Sequence, residues 1–92
     1  MELTFGWDEI KAEDNRKKHK VSFDEAAAIF HDPFSITMPD PDHSVEEERY
    51  IDIGCSSDGR LLMVVYTERG NDIRIISCRR ATTAEKKVYY SR

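Results

Sequence analysis

The sequence predicts one α+β domain in which a short strand and two helices precede an antiparallel sheet and a short C-terminal helix. The chain has 92 residues, which is enough for one modest core and too few for a second domain. Its first third has helical composition and two N-cap signals, whereas its second half contains apolar runs separated by turn residues. The domain is therefore predicted to span residues 1–92.

The N-terminal part is predicted to form a strand at Leu3–Phe5 and a helix at Glu9–His19. Asp8 occupies the N-cap position of this helix, because its carboxylate can accept hydrogen bonds from the first free backbone amides. The inner face of the helix is predicted to carry Trp7, Ile10 and either Asp14 or Asn15.

Two capping boxes predict the other helices. In the first, Ser22 caps the helix and Glu25 returns to the backbone amide of Ser22; in the second, Thr82 and Glu85 open a helix that ends near Tyr90. The helix that follows Ser22 ends at Asp32-Pro33, because proline disfavours helical geometry in the preceding residue. Its apolar residues recur on one face and are predicted to belong to the core: Phe23, Ala26, Ala27 and Phe30.

Four runs are predicted to form the sheet: Phe34–Met38, Arg49–Ser56, Leu61–Glu68 and Ile73–Arg79. The turn residues between the last three indicate an antiparallel meander, and the acidic, proline-containing segment 39–48 indicates a loop. The nearly continuous apolar run Leu61–Glu68 predicts a central strand that is covered on both faces. Strict alternation in the last strand predicts that Arg74, Ile76, Cys78 and Arg80 share one face and Ile73, Ile75, Ser77 and Arg79 the other.

Composition and charge suggest a cytoplasmic protein that binds a polyanion. The net charge is −4, but residues 1–48 contain 13 acidic and 5 basic residues, whereas residues 49–92 contain 5 acidic and 9 basic ones. No apolar run approaches the roughly 20 residues needed to cross a bilayer, and the N-terminal stretch lacks a secretory leader pattern. Cys55 and Cys78 fall in strands that a third strand separates, so both are predicted to be reduced core thiols.

Several side chains of the C-terminal half could act on phosphate. Arginine can hold a phosphate in two parallel charge-assisted hydrogen bonds, although each arginine could equally be an ordinary surface residue. Glu85 could serve as a base, although its capping box alone explains it, and His19 could either stabilise a helix end or act in catalysis. The three histidines show no spacing typical of zinc ligands and the glycines form no nucleotide-binding loop, so no metal and no cofactor is predicted.

Four segments together resemble the BrnT toxin family: FGWDEIKAEDNRKKHKVSFDEAAAIFHDP, EERYIDIG, LLMVVYTERG and IRIISCRRATTAEKKVYY. The resemblance implies a type II toxin with a RelE-like ribonuclease fold that cleaves RNA and arrests translation. It further implies a partner, a BrnA-like ribbon-helix-helix antitoxin. Operator DNA would be bound by this antitoxin and not by the toxin itself. A common variant of the family has glycine where Lys20 stands, which changes a helix C-cap.

The resulting hypothesis is a metal-independent endoribonuclease in which the 2′-hydroxyl of the RNA is the nucleophile. The residues expected to take part in catalysis are Arg49, Arg69, Arg74 and Arg79 as charge stabilisers, with Glu85 or His19 as the base. The residues expected to bind RNA are Tyr66, Arg80, Tyr89 and Lys18, although half-buried core tyrosines are commoner than stacking ones. The alternative is a non-catalytic interaction module, or a degenerate toxin, that only binds its antitoxin.

Overall fold

The fold is a five-stranded sheet with two helices on one face and a third helix on the other. A computed structural model of the chain describes residues 2–40 and 48–91, so the predicted loop lies largely outside the described residues. The elements are β1 (Thr4–Gly6), α1 (Glu9–His19), α2 (Phe23–Ala28) with a 3-10 turn (Ile29–His31), β2 (Ile36–Pro39), β3 (Arg49–Cys55), β4 (Leu61–Arg69), β5 (Asp72–Arg80) and α3 (Thr83–Tyr90). The predicted order of elements is thereby confirmed.

The strands are arranged in the order β1-β5-β4-β3-β2, and β2 to β5 form the predicted antiparallel meander. The N-terminal strand β1 extends this meander at its other edge by pairing in parallel with β5, with Thr4 opposite Asp72 and Gly6 opposite Arg74. Strand β4 is therefore the centre of the sheet, as its apolar composition predicts. None of the described helices combines the length and the apolar character that crossing a membrane requires.

The two faces of the sheet are covered unequally. On the face that we call the α1–α2 face, a core of ten buried residues includes Phe23, Ile29 and Val64. On the opposite face, the α3 face, the buried cluster is smaller and includes Ile53 and Met63. None of the eight residues of α3 is itself buried, so this helix packs only lightly on the sheet.

Helix α1 begins after the predicted N-cap, but the side of the helix that packs on the core differs from the predicted one. The Asp8 carboxylate accepts hydrogen bonds from the backbone amides of Ile10 (2.8 Å) and Lys11 (3.1 Å). Ile10 is 75% exposed, so its predicted place on the inner face is wrong. The side that meets the sheet runs through Ala12 and the buried Asn15, and Ile10 points away from this side because two residues of helix correspond to about 200° of rotation.

The end of α1 agrees with the predicted C-cap. Lys20 follows the last helical residue with a φ of 61° and a ψ of 31°, the left-handed conformation that glycine adopts most readily. Its backbone amide donates to the carbonyl of Arg16 at 2.9 Å. A glycine at this position would remove steric strain without changing a side-chain contact of the sheet.

The first capping box is only half formed. Ser22 accepts a hydrogen bond from the Glu25 amide at 3.0 Å, but the Glu25 carboxylate does not return to Ser22 as predicted. It binds the guanidinium of Arg60 and the hydroxyl of Ser56 (2.8 Å) instead. A bidentate contact between two ionised groups is stronger than a single bond from one amide. This contact joins α2 to the turn between β3 and β4.

Strand β5 contains a bulge that the alternation pattern does not reveal. Val65 of β4 is opposite Ser77, but its neighbour Tyr66 is opposite Ile75, so Ile76 is an extra residue in β5. A bulge inserts one residue into the ladder. The side chains beyond it therefore point to the face of the sheet opposite to the one that uninterrupted alternation predicts.

The bulge changes the predicted placement of the arginines in β5. Arg74 is opposite Thr67 and Arg79 is opposite Met63, and both of these β4 residues belong to the α3 face. Arg80 consequently belongs to the α1–α2 face. The prediction that Arg74 shares a face with Arg80 while Arg79 lies on the other is therefore wrong, because it assumed an uninterrupted period of two.

The two cysteines are free thiols on β3 and β5, with β4 between them. Cys78 is buried, and burial raises the pKa of its thiol to about 12. Cys55 is only half-buried, so the expectation of a core thiol holds fully for Cys78 alone.

Candidate functional site

Three of the predicted arginines meet at one end of the α3 face. Arg49 of β3 and Arg74 of β5 flank Thr67 of β4, because the register places each of them opposite Thr67. Arg69 lies on the same face, since it follows Thr67 by two residues in the strand. Residues opposite each other on neighbouring strands have Cβ atoms about 5 Å apart. We call Arg49, Arg69 and Arg74 the arginine cluster.

A surface cavity of about 460 Å³ adjoins the arginine cluster, between β1, β5 and β4. The described residues that line it are Thr4, Phe5, Gly6, Thr67, Arg69, Asp72, Ile73 and Arg74. Gly6 is opposite Arg74, and apart from its two chain neighbours no described residue has a heavy atom within 4 Å of the position that a Cβ would take there. The cavity has the size of a typical small-ligand site.

The guanidinium groups of Arg69 and Arg74 are available for a ligand. Within residues 2–40 and 48–91, neither side chain forms a hydrogen bond or an ion pair, and both residues are exposed. Arg60 and Arg79, in contrast, each bind a carboxylate. Because a guanidinium carries five N–H donors in a planar fork, Arg69 and Arg74 can hold an anion such as a phosphate without first breaking a protein contact.

Among the described residues of the cavity, Asp72 carries the single carboxylate. It accepts a hydrogen bond from the hydroxyl of Thr4, its partner in the neighbouring strand. This contact joins β1 to β5 and so completes one wall of the cavity. Within the described ranges, no three histidine, cysteine, aspartate or glutamate side chains converge as metal ligands would.

Arg79 and Glu85, both predicted to act in catalysis, are bound to each other. Two nitrogens of Arg79 donate to the two carboxylate oxygens of Glu85 at 2.8 and 3.0 Å. Glu85 also completes the predicted capping box with Thr82. The Arg79 guanidinium, helped by the Thr82 amide, lowers the pKa of the Glu85 carboxyl below its ordinary value. This pair anchors α3 to β5 and makes Glu85 a weaker base than an ordinary glutamate.

Tyr66, predicted to bind RNA, lies in the core of the α1–α2 face. It is 3% exposed, and its ring packs against Phe30 and Tyr50 with centroid distances of 4.9 and 5.8 Å. Its hydroxyl donates to Asp52 at 2.8 Å, and burial together with this carboxylate raises its pKa. A base could reach this ring only if the core opened, so the position argues against the predicted stacking role.

Tyr89 fastens α3 at its C-terminal end. Its hydroxyl donates to the carboxylate of Asp32 at 2.6 Å, and this bond raises the pKa of Tyr89 to about 12. The same carboxylate accepts hydrogen bonds from the backbone amides of Phe34 (2.9 Å) and Cys55 (2.8 Å). Asp32, which the sequence marks only as the end of a helix, therefore joins α3 to the end of β3.

The other predicted residues lie away from the arginine cluster. Lys18 and His19 belong to the last turn of α1, in the helical layer on the opposite face of the sheet. Arg80 is the last residue of β5 and belongs to the α1–α2 face. The structure thus brings Arg49, Arg69 and Arg74 together, adds Thr67 and the β1 wall to them, and leaves the remaining candidates elsewhere.

Comparisons with known proteins agree with this architecture. The family model described as "Ribonuclease toxin, BrnT, of type II toxin-antitoxin system" matches residues 7–85. The fold is similar to the crystal structure of the Brucella abortus ribonuclease toxin, BrnT, with a TM-score of 0.68 and 21% sequence identity over 88% of this chain and 99% of that chain. At this identity the structural likeness concerns the fold alone. No curated protein sequence matches significantly.

Proposed function

Because the chain belongs to the BrnT family of ribonuclease toxins of type II toxin–antitoxin systems, we propose that it is a cytoplasmic endoribonuclease that arrests translation by cleaving RNA. The observation that carries this proposal is the arginine cluster, in which the exposed side chains of Arg69 and Arg74 line a cavity of about 460 Å³. Such a site suits a phosphodiester, because its bidentate cations match the geometry of phosphate oxygens.

In the proposed reaction the RNA supplies its own nucleophile. The 2′-oxygen forms a bond to the adjacent phosphorus while the bond from phosphorus to the 5′-oxygen of the next nucleotide breaks. The products are a 2′,3′-cyclic phosphate and a 5′-hydroxyl. One proton leaves the 2′-hydroxyl for a base, and one proton is delivered to the departing 5′-oxygen. The arginine cluster stabilises the additional negative charge on the phosphorus centre.

Cleavage without an added metal ion tests this proposal. We expect the purified protein to cleave RNA in excess EDTA and to leave fragments with 2′,3′-cyclic phosphate ends, because the nucleophile and the charge stabilisers are already present. Gel analysis of end-labelled RNA and phosphatase resistance of the 3′ ends provide the measurement. If EDTA abolishes the activity and Mg²⁺ restores it, the proposed mechanism is wrong.

The pH dependence of cleavage distinguishes the two proposed bases. Glu85 lies on the α3 face but is bound to Arg79, away from the arginine cluster, and Arg79 lowers its pKa, whereas His19 lies in the opposite layer. A carboxylate with a lowered pKa stays deprotonated through mildly acidic conditions, so we expect kcat to stay level between about pH 8 and pH 5. A decline of kcat within this pH range that is absent in His19→Gln would assign the base to His19.

The partner that we propose is a BrnA-like ribbon-helix-helix antitoxin, and operator DNA would be bound only through it. Membership in a type II toxin–antitoxin family implies an antitoxin, and the ribbon-helix-helix type follows from the family resemblance. Expression without the partner should stop growth and degrade cellular RNA. Harmless expression of the folded protein would instead favour a non-catalytic interaction module.

A further inference from the structure

A second basic cavity lies at the opposite end of β5 from the arginine cluster. It has a volume of about 360 Å³, and its described lining residues are Gly59, Arg60, Leu61, Arg80, Lys86 and Tyr90. Arg80 is on the α1–α2 face by its register, but as the last residue of β5 it lies at the end of the sheet, where it lines the cavity together with α3. Lys86 and Tyr90 share one face of α3 because they are four residues apart. The cavity therefore opens between the end of the sheet, the turn before β4, and α3.

The electrostatics of this second cavity favour an anion. Arg80 and Lys86 are exposed, and within residues 2–40 and 48–91 neither side chain forms a hydrogen bond or an ion pair. Arg60 also lines the cavity, but its charge is offset by the Glu25 carboxylate, which also interacts with Arg80 through their opposite charges. None of the described lining residues is acidic. Arg80 and Lys86, whose side chains form no hydrogen bond or ion pair among the described residues, can therefore bind phosphate oxygens.

Tyr90 gives the second cavity an aromatic wall. The side chain is 73% exposed, and its ring meets that of Tyr89 edge to face, with centroids 5.0 Å apart and an interplanar angle of 88°. Tyr89 is in turn fixed by its hydrogen bond to Asp32. An exposed ring held in place beside free cations is the combination that single-stranded nucleic acid binders use, because bases stack on the ring and phosphates contact the cations.

The distance between the two cavities fits one RNA strand. Arg74 and Arg80 are six residues apart in β5, and one of these residues is the bulge, so at about 3.3 Å per residue their Cα atoms are separated by roughly 17 Å. A stacked strand advances about 3.4 Å per nucleotide and covers this distance in about five nucleotides.

We propose that the cavity formed by Arg80, Lys86 and Tyr90 is a second subsite for single-stranded RNA, in which a nucleotide about five positions from the cleaved bond stacks on Tyr90. This inference rests on the proposed ribonuclease function. It implies that an RNA must exceed a minimum length to bind both cavities. RNA that occupies only the arginine cluster should bind more weakly than RNA that spans both cavities.

Binding of RNAs of different length tests the second subsite. The probes are fluorescent mixed-sequence RNAs of about 4 and about 12 nucleotides, which cover common site sizes for single strands; 2′-O-methylation prevents their cleavage. By fluorescence anisotropy we expect the longer RNA to bind at least about tenfold more tightly. The double substitution Arg80→Ala and Lys86→Ala should remove most of this advantage and leave the Kd of the shorter RNA within about twofold.

Variants of α3 serve as matched controls for this experiment. Tyr90→Ala should weaken binding of the longer RNA by about five- to tenfold, whereas Tyr90→Phe, which retains the ring, should bind like the unmodified protein. Lys87→Ala removes the same charge as Lys86→Ala from the next position of the helix, outside the cavity, and should change the Kd less than twofold.

Two results would overturn the second subsite: equal affinity of the unmodified protein for both lengths, or an equal loss at both lengths in the double variant. The ribonuclease proposal would survive either result, provided that Arg74→Ala weakens binding of the shorter RNA. Failure of the unmodified protein to bind either RNA would contradict both proposals.

Discussion

Arg74→Ala is expected to lower kcat/KM for RNA cleavage by about 10²–10³-fold, because it removes a charge-assisted donor from the site at which negative charge develops. Arg74 lines the cavity and is opposite Gly6 and Thr67 in the register. Among the described residues its side chain forms no hydrogen bond or ion pair, although its charge stabilises the Asp8 carboxylate. Initial rates on labelled RNA measure the effect. Arg74→Lys should recover only part of it, since lysine keeps the charge but lacks the planar fork.

The control for this experiment is Arg16→Ala. Arg16 is another exposed arginine, but it lies on α1, and its ion pair among the described residues is with Glu13, three residues earlier. Its loss removes the same charge without touching the arginine cluster, so cleavage should stay within about twofold. Cleavage by Arg74→Ala within about threefold of the unmodified rate would place the active site elsewhere.

Arg60→Ala is expected to lower the free energy of unfolding by about 3 kcal/mol, because it leaves the Glu25 carboxylate without its cation in a largely buried position. The Glu25 side chain is 9% exposed and that of Arg60 is 25% exposed. Denaturant unfolding measures the loss. The variant lacking both Glu25 and Arg60 should lose less than the sum of the single losses, since the two groups interact directly.

The exposed pair of Arg16 and Glu13 again provides the comparison. Its side chains are 57% and 48% exposed, and removing such a pair changes the free energy of unfolding by less than about 1 kcal/mol. Additive losses in the Glu25 and Arg60 double variant would contradict the assigned interaction.

The same ion pair makes stability depend on pH. The hydrogen bond from Arg60 lowers the pKa of Glu25 in the folded protein, so the carboxylate stabilises the fold above its unfolded pKa of about 4.3. This stabilisation is lost as pH falls through the lowered pKa. Unfolding free energy should therefore decline below about pH 4.5, and it should decline less in Arg60→Ala.

Local signals explain which parts of the fold could be predicted from the sequence. The helices begin where Asp8, Ser22 and Thr82 stand, because an N-cap is decided by residues within one turn. The bulge at Ile76 depends instead on the pairing of two strands. The partner of Glu25 is equally non-local, since Arg60 lies 35 residues further along the chain.

In the candidate site, too, local features could be predicted from the sequence, whereas features that depend on distant residues could not. Residue type and charge distribution single out Arg49 and Arg74, but only the register reveals that both flank Thr67. Tyr66 illustrates the opposite case, because its place in the predicted central strand already favours burial over base stacking. Whether a guanidinium can bind a ligand depends on whether a carboxylate from a distant part of the chain already binds it. Such contacts cannot be predicted from the amino-acid composition.

The parallel pairing of β1 with β5 determines at which stage of folding the cavity beside the arginine cluster forms. Thr4 and Asp72 form opposite parts of one wall although 68 residues separate them. Closing so long a loop costs conformational entropy that only the assembled sheet offsets, so contacts of this kind form late in folding. On the ribosome, β1 emerges before β5 and has no partner strand until β5 has been synthesised. A nascent or truncated chain that lacks β5 therefore has no cavity, because β5 forms one of its walls.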